Sequence, residues 1–226
     1  MTRRSHSPAT QVNRLARPGE ALVIVRHWMS TDLVTIGKDA SIQEAMALMK
    51  RESVRHLPVV DQQKNLLGWI TDADLRGVLI ASMIEELTLE DVMIRKPLTI
   101  EPEMPLEEAA CILLDKRIGG LPIVENGVLT GIITVADILS AFITFLGLFT
   151  QSTRLDIKVS GSPNPLPEIT RIARTHGAEI ISLCQVPAAE EGSEFSYSLR
   201  LKKTDVKPII ADLEKHGIEV VSYLDM

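Results

Sequence analysis

The chain has 226 residues, 45% of them hydrophobic, with a formal net charge of −6 at pH 7 and a pI near 5.4. That content is enough for a sizeable buried core, and the acidic balance excludes a nucleic-acid-binding face over the body of the chain, because displacing counterions from phosphates takes clustered Lys and Arg. No apolar run reaches the roughly eighteen residues a membrane helix needs, and the two cysteines, Cys111 and Cys184, sit in apolar runs where a free thiol behaves as a small hydrophobe.

Residues 1–20 carry Arg3, Arg4, Arg14 and Arg17 among Ser, Thr and Pro, and are expected to form a disordered, solvated arm. They lack the apolar stretch of a secretory leader, which together with the cysteine usage points to a cytoplasmic setting.

The body of the chain then repeats itself. Met29/Met93, Thr35/Thr99, Glu44/Glu108, Leu57/Leu121 and Pro58/Pro122 match at one constant offset. One deletion later, Gly68/Gly131, Thr71/Thr134 and Asp74/Asp137 match. Each copy reads as a short extended piece (Leu33 to Ile36; Leu98 to Ile100) followed by an amphipathic helix, which in the first copy is Ser41 to Lys50 with Ile42, Ala45, Met46 and Met49 on one face. An apolar strand, His56 to Val60, a turn over Asp61 to Asn65 and a second strand, Leu66 to Ile70, follow, and Thr71 opens another helix. The unit is β-α-β-β-α, written twice.

Both copies end in a glycine, two apolar residues, Thr, two further residues of which the second is Ala73 or Ala136, and Asp. Thr followed three residues later by an acid is close to a capping box, which by itself accounts for a single occurrence. Here, however, the hydroxyl stands at a strand-to-helix junction and the carboxylate in the first helical turn, where phosphate is favoured and a carboxylate reaches a ribose diol. Arg55, His56 and Arg76 surround the first copy's version, as phosphate partners or as ordinary solvated side chains. At the corresponding positions the second copy has Gly119, Gly120 and Leu139.

The two units resemble a tandem pair of CBS domains, on the hydrophobic-Pro steps Leu57-Pro58 and Leu121-Pro122 and the repeated Gly68 to Asp74 and Gly131 to Asp137 ends. That resemblance implies a regulatory module binding an adenine nucleotide, with AMP, ADP, ATP, NAD and S-adenosylmethionine as candidates. Carried onto this chain, it implies Thr71 and Asp74 in one site and Thr134 and Asp137 in the other. It adds Thr35, Leu57 and Pro58, with Thr99, Gly120, Leu121 and Pro122, around the adenine slots. It also implies association through helices, and Phe142, Phe145 and Phe149 at helical spacing fit packing or self-association.

From Thr153 the pattern becomes β-α-β-β-α-β, a ferredoxin-like order. Leu155, Ile157 and Val159 alternate in a first strand, and Leu166 to His176 forms a helix. Strands over Ala178 to Val186 and Phe195 to Leu201, a helix from Thr204 to His216 and a strand from Ile218 to Leu224 follow. Both helices end His-Gly, which is capping chemistry and not a metal site. This tail resembles the ACT domain, a small-molecule-sensing module that pairs edge to edge, although Ser162-Pro163-Asn164-Pro165-Leu166 places Asn where that family has Gly. The whole order is similar to that of the acetoin-utilisation accessory proteins.

The expectation is therefore an α+β chain made of a disordered arm (1–20), CBS domains over 21–84 and 85–150, and an ACT-like domain over 153–226. No nucleophile elbow, phosphate loop, dinucleotide fingerprint or paired metal-ligand spacing is present. No catalytic residue, catalytic cofactor or metal ligand is expected. The leading reading is a non-catalytic, homodimeric sensor of adenine nucleotides. The alternative is a scaffold with vestigial clefts that binds a metabolic enzyme.

Overall fold

The computed structural model describes residues 23–79, 87–159, 165–186 and 195–225, and these fall into two compact units that divide between Ile138 and Leu139. The arm and most of the Ser162 to Leu166 turn lie outside the described residues.

In the first unit, Ser41 closes a capping box: its hydroxyl accepts from the Glu44 N–H at 3.2 Å and the Glu44 carboxylate accepts from the Ser41 N–H at 2.8 Å. Helix α1 (Ile42–Glu52) follows, buries Ile42, Ala45 and Met49, and stops at Ser53, which takes a left-handed conformation. Strand β1 (His56–Val60) runs antiparallel to β2 (Leu66–Thr71), the Asp61 carboxylate accepting the Gln63 and Asn65 N–H groups in the turn between them. Helix α2 (Asp72–Val78) starts directly after Thr71. After residues 80–86 come α3 (Leu89–Val92) and the two-residue β3 (Ile94–Arg95), then α4 (Leu106–Lys116), the hairpin β4 (Gly120–Glu125) and β5 (Val128–Thr134), and α5 (Val135–Phe145). The hairpin turns on Asn126 and Gly127, both at positive φ.

The extended pieces expected to lead each copy reduce to one parallel bridge apiece, Ile36 to Val59 and Ile100 to Ile123. The reason is local. Pro58 and Pro122 have no N–H, so each presents only its carbonyl, which takes the Ile36 N–H at 3.1 Å and the Ile100 N–H at 3.2 Å. One more backbone bond per copy, Val60 N–H to Ile36 and Val124 N–H to Ile100, completes the attachment.

The leading segments of the two copies are exchanged in space. Ile24 bridges Pro105, Ser30 bridges Ile132, and Arg26 pairs with Glu103 and Glu125 of the second copy at 2.7 Å each. Conversely, Thr88 bridges Ser41 and β3 pairs with Gly68 and Trp69 of β2. The exchange explains two repeated residues at once. The Met93 side chain seats where a Gly68 Cβ would stand, and the Met29 sulfur lies 2.6 Å from the position of a Gly131 Cβ. Both motif glycines are therefore sockets for a methionine from the other copy.

The first copy's core joins Ile42, Ala45, Met49, Leu57, Val59, Ile70, Leu75 and Leu89. In the second copy Leu106, Ala109, Leu121, Ile123 and Ile133 are equally inaccessible.

The second unit contains the end of α5, where Phe142 and Phe145 meet edge to face, and the turn after it, where Phe149 is 78% exposed. It continues as β6 (Ser152–Val159), α6 (Leu166–Thr175), β7 (Ile180–Val186), β8 (Phe195–Lys202), α7 (Lys207–Lys215) and β9 (Ile218–Asp225). The four strands form one antiparallel sheet in the order β7-β8-β6-β9, so the expected β-α-β-β-α-β order is observed with strands one and three central. Ile169, Ile172, Ala173, Ile209 and Leu213 of the helices pack with Leu155, Ile157, Tyr197, Leu199 and Leu201 of the sheet. Gly177 and Gly217, following the two helix-terminal histidines, take positive φ as the capping pattern requires.

Among the described residues no helix is long and apolar enough to cross a membrane.

Candidate functional site

At the end of β2 the chain turns from extended to helical at Thr71, whose hydroxyl accepts the Asp74 N–H at 3.2 Å. The Asp74 Oδ2 in turn accepts the Thr71 N–H at 3.0 Å and the Thr71 hydroxyl at 2.6 Å. The second copy repeats this at Thr134 and Asp137, with 2.7 Å to Oδ2 from both the N–H and the hydroxyl and 3.4 Å for the return bond. The sequence-level capping box is thus present in both copies.

It is not the whole description of these groups. Every hydrogen bond that reaches the two carboxylates among the described residues lands on Oδ2, so each Oδ1 is left to take a further donor. All four side chains are half-buried. A matching backbone bond secures each junction, from the Asp72 N–H to the Arg55 carbonyl at 3.0 Å and from the Val135 N–H to the Gly119 carbonyl at 3.1 Å.

The hydrophobic-Pro steps lie alongside. Leu57, Pro58, Leu121 and Pro122 are buried, His56 is the cross-strand partner of Thr71, and Gly120 is the partner of Thr134. Thr35 precedes the Ile36 bridge and is half-buried. Thr99 precedes the Ile100 bridge and lines a depression of about 450 Å³ with Ile100, Glu101, Met104, Val124, Asn126 and Gly127. Of the expected site residues, Thr99 alone reaches that depression.

The three basic residues of the first copy separate. Arg76 turns onto Asp72, 2.9 Å away and one helical turn back, while Arg55 is exposed. His56 points inward and stacks on Trp69, with ring centroids 5.6 Å apart and planes 29° from parallel. Asp72 and Asp74 consequently do different work, one holding an arginine and the other a helix cap.

The His56 ring also fills the notch made by the second copy's two glycines. A Cβ on Gly119 would stand 2.9 Å from His56 Nε2, and one on Gly120 would stand 3.6 Å from Cε1. Sequence reasoning noted Arg55-His56 against Gly119-Gly120 as an asymmetry but did not join the two halves. The available signal was that the bulky pair and the glycine pair occupy equivalent places in a twofold repeat. Trp69 and Gly119 were missed as members of the site for the same reason.

Burial first, and then the neighbouring Arg55 guanidinium, hold the His56 imidazole below its ordinary value, with the Asp74 carboxylate pulling the other way. A base with a depressed folded pKa gives stability that is fully present above the unfolded value of about 6.5 and is lost as pH falls through the folded value. The melting temperature is therefore expected to fall as pH is lowered from about 6.5 through the depressed folded value of His56, and His56→Gln to flatten part of that fall. Melting curves across that window read this directly, and parallel curves for the two proteins would count against a buried, neutral His56.

Among the described residues no group of three or more His, Cys, Asp or Glu side chains is arranged to hold a metal ion. His176 meets the Asp212 carboxylate at 3.2 Å, and His216 Nδ1 meets the Asp212 carbonyl at 2.8 Å, so both bind α7 at the helix ends.

Comparison with known proteins gives a concordant result. The CBS domain model matches residues 25–81 and 89–144, half of the chain. A CBS domain-containing protein of Dictyostelium discoideum is 36% identical over 136 residues, covering 55% of this chain and 94% of its own length. A Vibrio cholerae protein named for acetoin utilization (AcuB) has a structure similar to this one at TM-score 0.53 and 32% identity, over 57% of this chain and 98% of the other. The structure of CBSX2, an Arabidopsis thaliana CBS-pair protein, in complex with AMP matches at TM-score 0.51 and 27% identity, over 54% and 97% of the two chains. The CBS matches fall on the two copies that carry the Thr71–Asp74 and Thr134–Asp137 junctions, and the chain belongs to the CBS-domain family.

Proposed function

We propose that this protein is a non-catalytic sensor whose CBS clefts bind an adenine nucleotide of the AMP, ADP or ATP type and whose occupancy biases the geometry of a homodimer. The observation that carries this reading is the duplicated Thr–Asp junction, each with one carboxylate oxygen spent on its own helix and the other left for a ribose hydroxyl. The AMP complex of the similar CBSX2 supports adenylate as the ligand class. The clefts take Thr35, Leu57, Pro58, Thr71 and Asp74 on one side and Thr99, Gly120, Leu121, Pro122, Thr134 and Asp137 on the other, with Arg55 and Arg76 as the basic rim and the inward His56 between the copies. Arg76 is shared between Asp72 and an incoming phosphate, the anion of higher charge competing with an exposed ion pair of small worth.

The dimer uses CBS helices, the exposed Phe149 in the turn after α5 and the tail sheet, which we read as an ACT-like domain. The likeness to a protein named for acetoin utilization supports a role in acetoin or central carbon metabolism, which on this reading is cytoplasmic and acts on a metabolic enzyme. Coupling arises because the nucleotide binds one dimer arrangement better than another.

A second reading is favoured by a specific observation: in each copy the Thr and Asp side chains already bond to one another as a helix cap, so vestigial clefts on a scaffold would show the same bonds. Thermal-shift and calorimetric titrations with AMP, ADP, ATP, NAD and S-adenosylmethionine separate the two. A sensor gains stability by mass action with at least one adenylate. A scaffold gains none with any of the five.

A further inference from the structure

We infer that His56 is a shared wall between the two nucleotide sites, so that a ligand seated in one opposes a ligand in the other. This rests on the nucleotide reading above.

His56 pairs with Thr71 across β1 and β2, and Gly120 pairs with Thr134 across β4 and β5. One imidazole therefore belongs by backbone to the first Thr–Asp junction and by contact to the second, 2.9 Å from the Gly119 Cβ position. Twofold symmetry would call for a matching ring from the second copy, but Gly120 holds that place. A single ring serves both sides.

That ring has little room. Trp69 stacks on it from within the first copy, and the Gly119-Gly120 notch receives its edge. Any side chain at Gly119 would have to push a ring already backed by an indole. The backbone carries the consequence outward. The Gly119 carbonyl holds the Val135 N–H at the start of α5, the helix that carries Asp137, and the Arg55 carbonyl holds the Asp72 N–H at the start of α2, the helix that carries Asp74. A ligand that seats at one junction by moving the ring away from it drives the ring towards the other. The second ligand then meets a narrower cleft, which is a coupling free energy between sites with one discrete element biased by both.

Calorimetric titration of the full chain with AMP tests this. Wild-type protein should show two affinities at least about tenfold apart, within the usual range for coupled sites, and His56→Ala should bring them to within about threefold. An unchanged ratio in His56→Ala with binding intact, or equal affinities in the wild type, overturns the coupling while leaving the nucleotide reading in place. No heat with AMP or any other adenylate in the wild type overturns the nucleotide reading and this inference with it. A ligand-free arm isolates the notch: Gly119→Ala should lower the melting temperature in the wild-type background and not in the His56→Ala background. The same loss in both backgrounds would show that the ring does not press on the notch, and the inference fails.

Discussion

With Asp74 and Asp137 both changed to Asn, the protein is expected to melt normally without ligand and to show no stabilisation by adenylates. Wild-type protein at about a hundredfold excess over Kd should gain about 2.7 kcal/mol, worth roughly 5–10 °C in a chain of this size. The Asn side chain keeps an oxygen to accept the Thr71 or Thr134 N–H and hydroxyl, so the cap that now spans 2.6–3.0 Å in the first copy survives. What is lost is the charge that makes a strong acceptor for a ribose diol. Asp→Ala at the same positions removes the cap as well and should cost about 1 kcal/mol per junction before any ligand is added. The pair of variants thus separates a carboxylate that holds its own helix from one that holds a ligand. Retention of the full ligand-induced shift in the double Asn variant would assign these groups to capping alone.

The second large effect lies in the core. Leu57 is fully buried in the first copy, one residue from His56 and directly before Pro58. Leu57→Ala is expected to cost about 2–5 kcal/mol, a substantial part of the 5–15 kcal/mol that holds an ordinary domain together. It should weaken nucleotide binding in parallel, because β1 carries the wall of the site. Leu199, equally buried in the tail sheet, provides the contrast. Leu199→Ala should lose stability of the same order while leaving the affinity of the remaining folded protein for adenylates unchanged. Urea unfolding at constant m, followed by titration of each folded variant, reads both quantities. An affinity loss as large in Leu199→Ala as in Leu57→Ala would contradict a site built on the first unit.

Much of this was legible in the sequence because the informative signals are local or periodic. The β1 and β2 strands announce themselves through the apolar runs around Leu57 and Ile70, and the Thr71–Asp74 and Thr134–Asp137 caps through spacing alone. The tail sheet follows from alternation at Leu155, Ile157 and Val159, and its helix ends from Gly177 and Gly217. What could not be read is what depends on contacts between the copies. Nothing in the local sequence says that Ile24 to Ser30 crosses to the second copy, or that Met29 and Met93 sit in the sockets at Gly131 and Gly68. The two-residue β3 is too short to produce a period, and its pairing with β2 is set by the same exchange. The short extended pieces Leu33 to Ile36 and Leu98 to Ile100 read as the first strand of each copy, but proline on the receiving strand limits each to one bridge. Arg76 was grouped with Arg55 and His56 because the three are basic and close in the chain. Helix geometry instead places it four residues from Asp72, near enough to pair.

A crystal structure of the full chain grown with saturating AMP tests the central claim most directly. The account predicts an adenosine moiety against Leu57-Pro58 or Leu121-Pro122, its ribose hydroxyls on the outward oxygen of Asp74 or Asp137. Empty junctions at saturating AMP, with all four Thr and Asp side chains bonded only to their own helices, would contradict it.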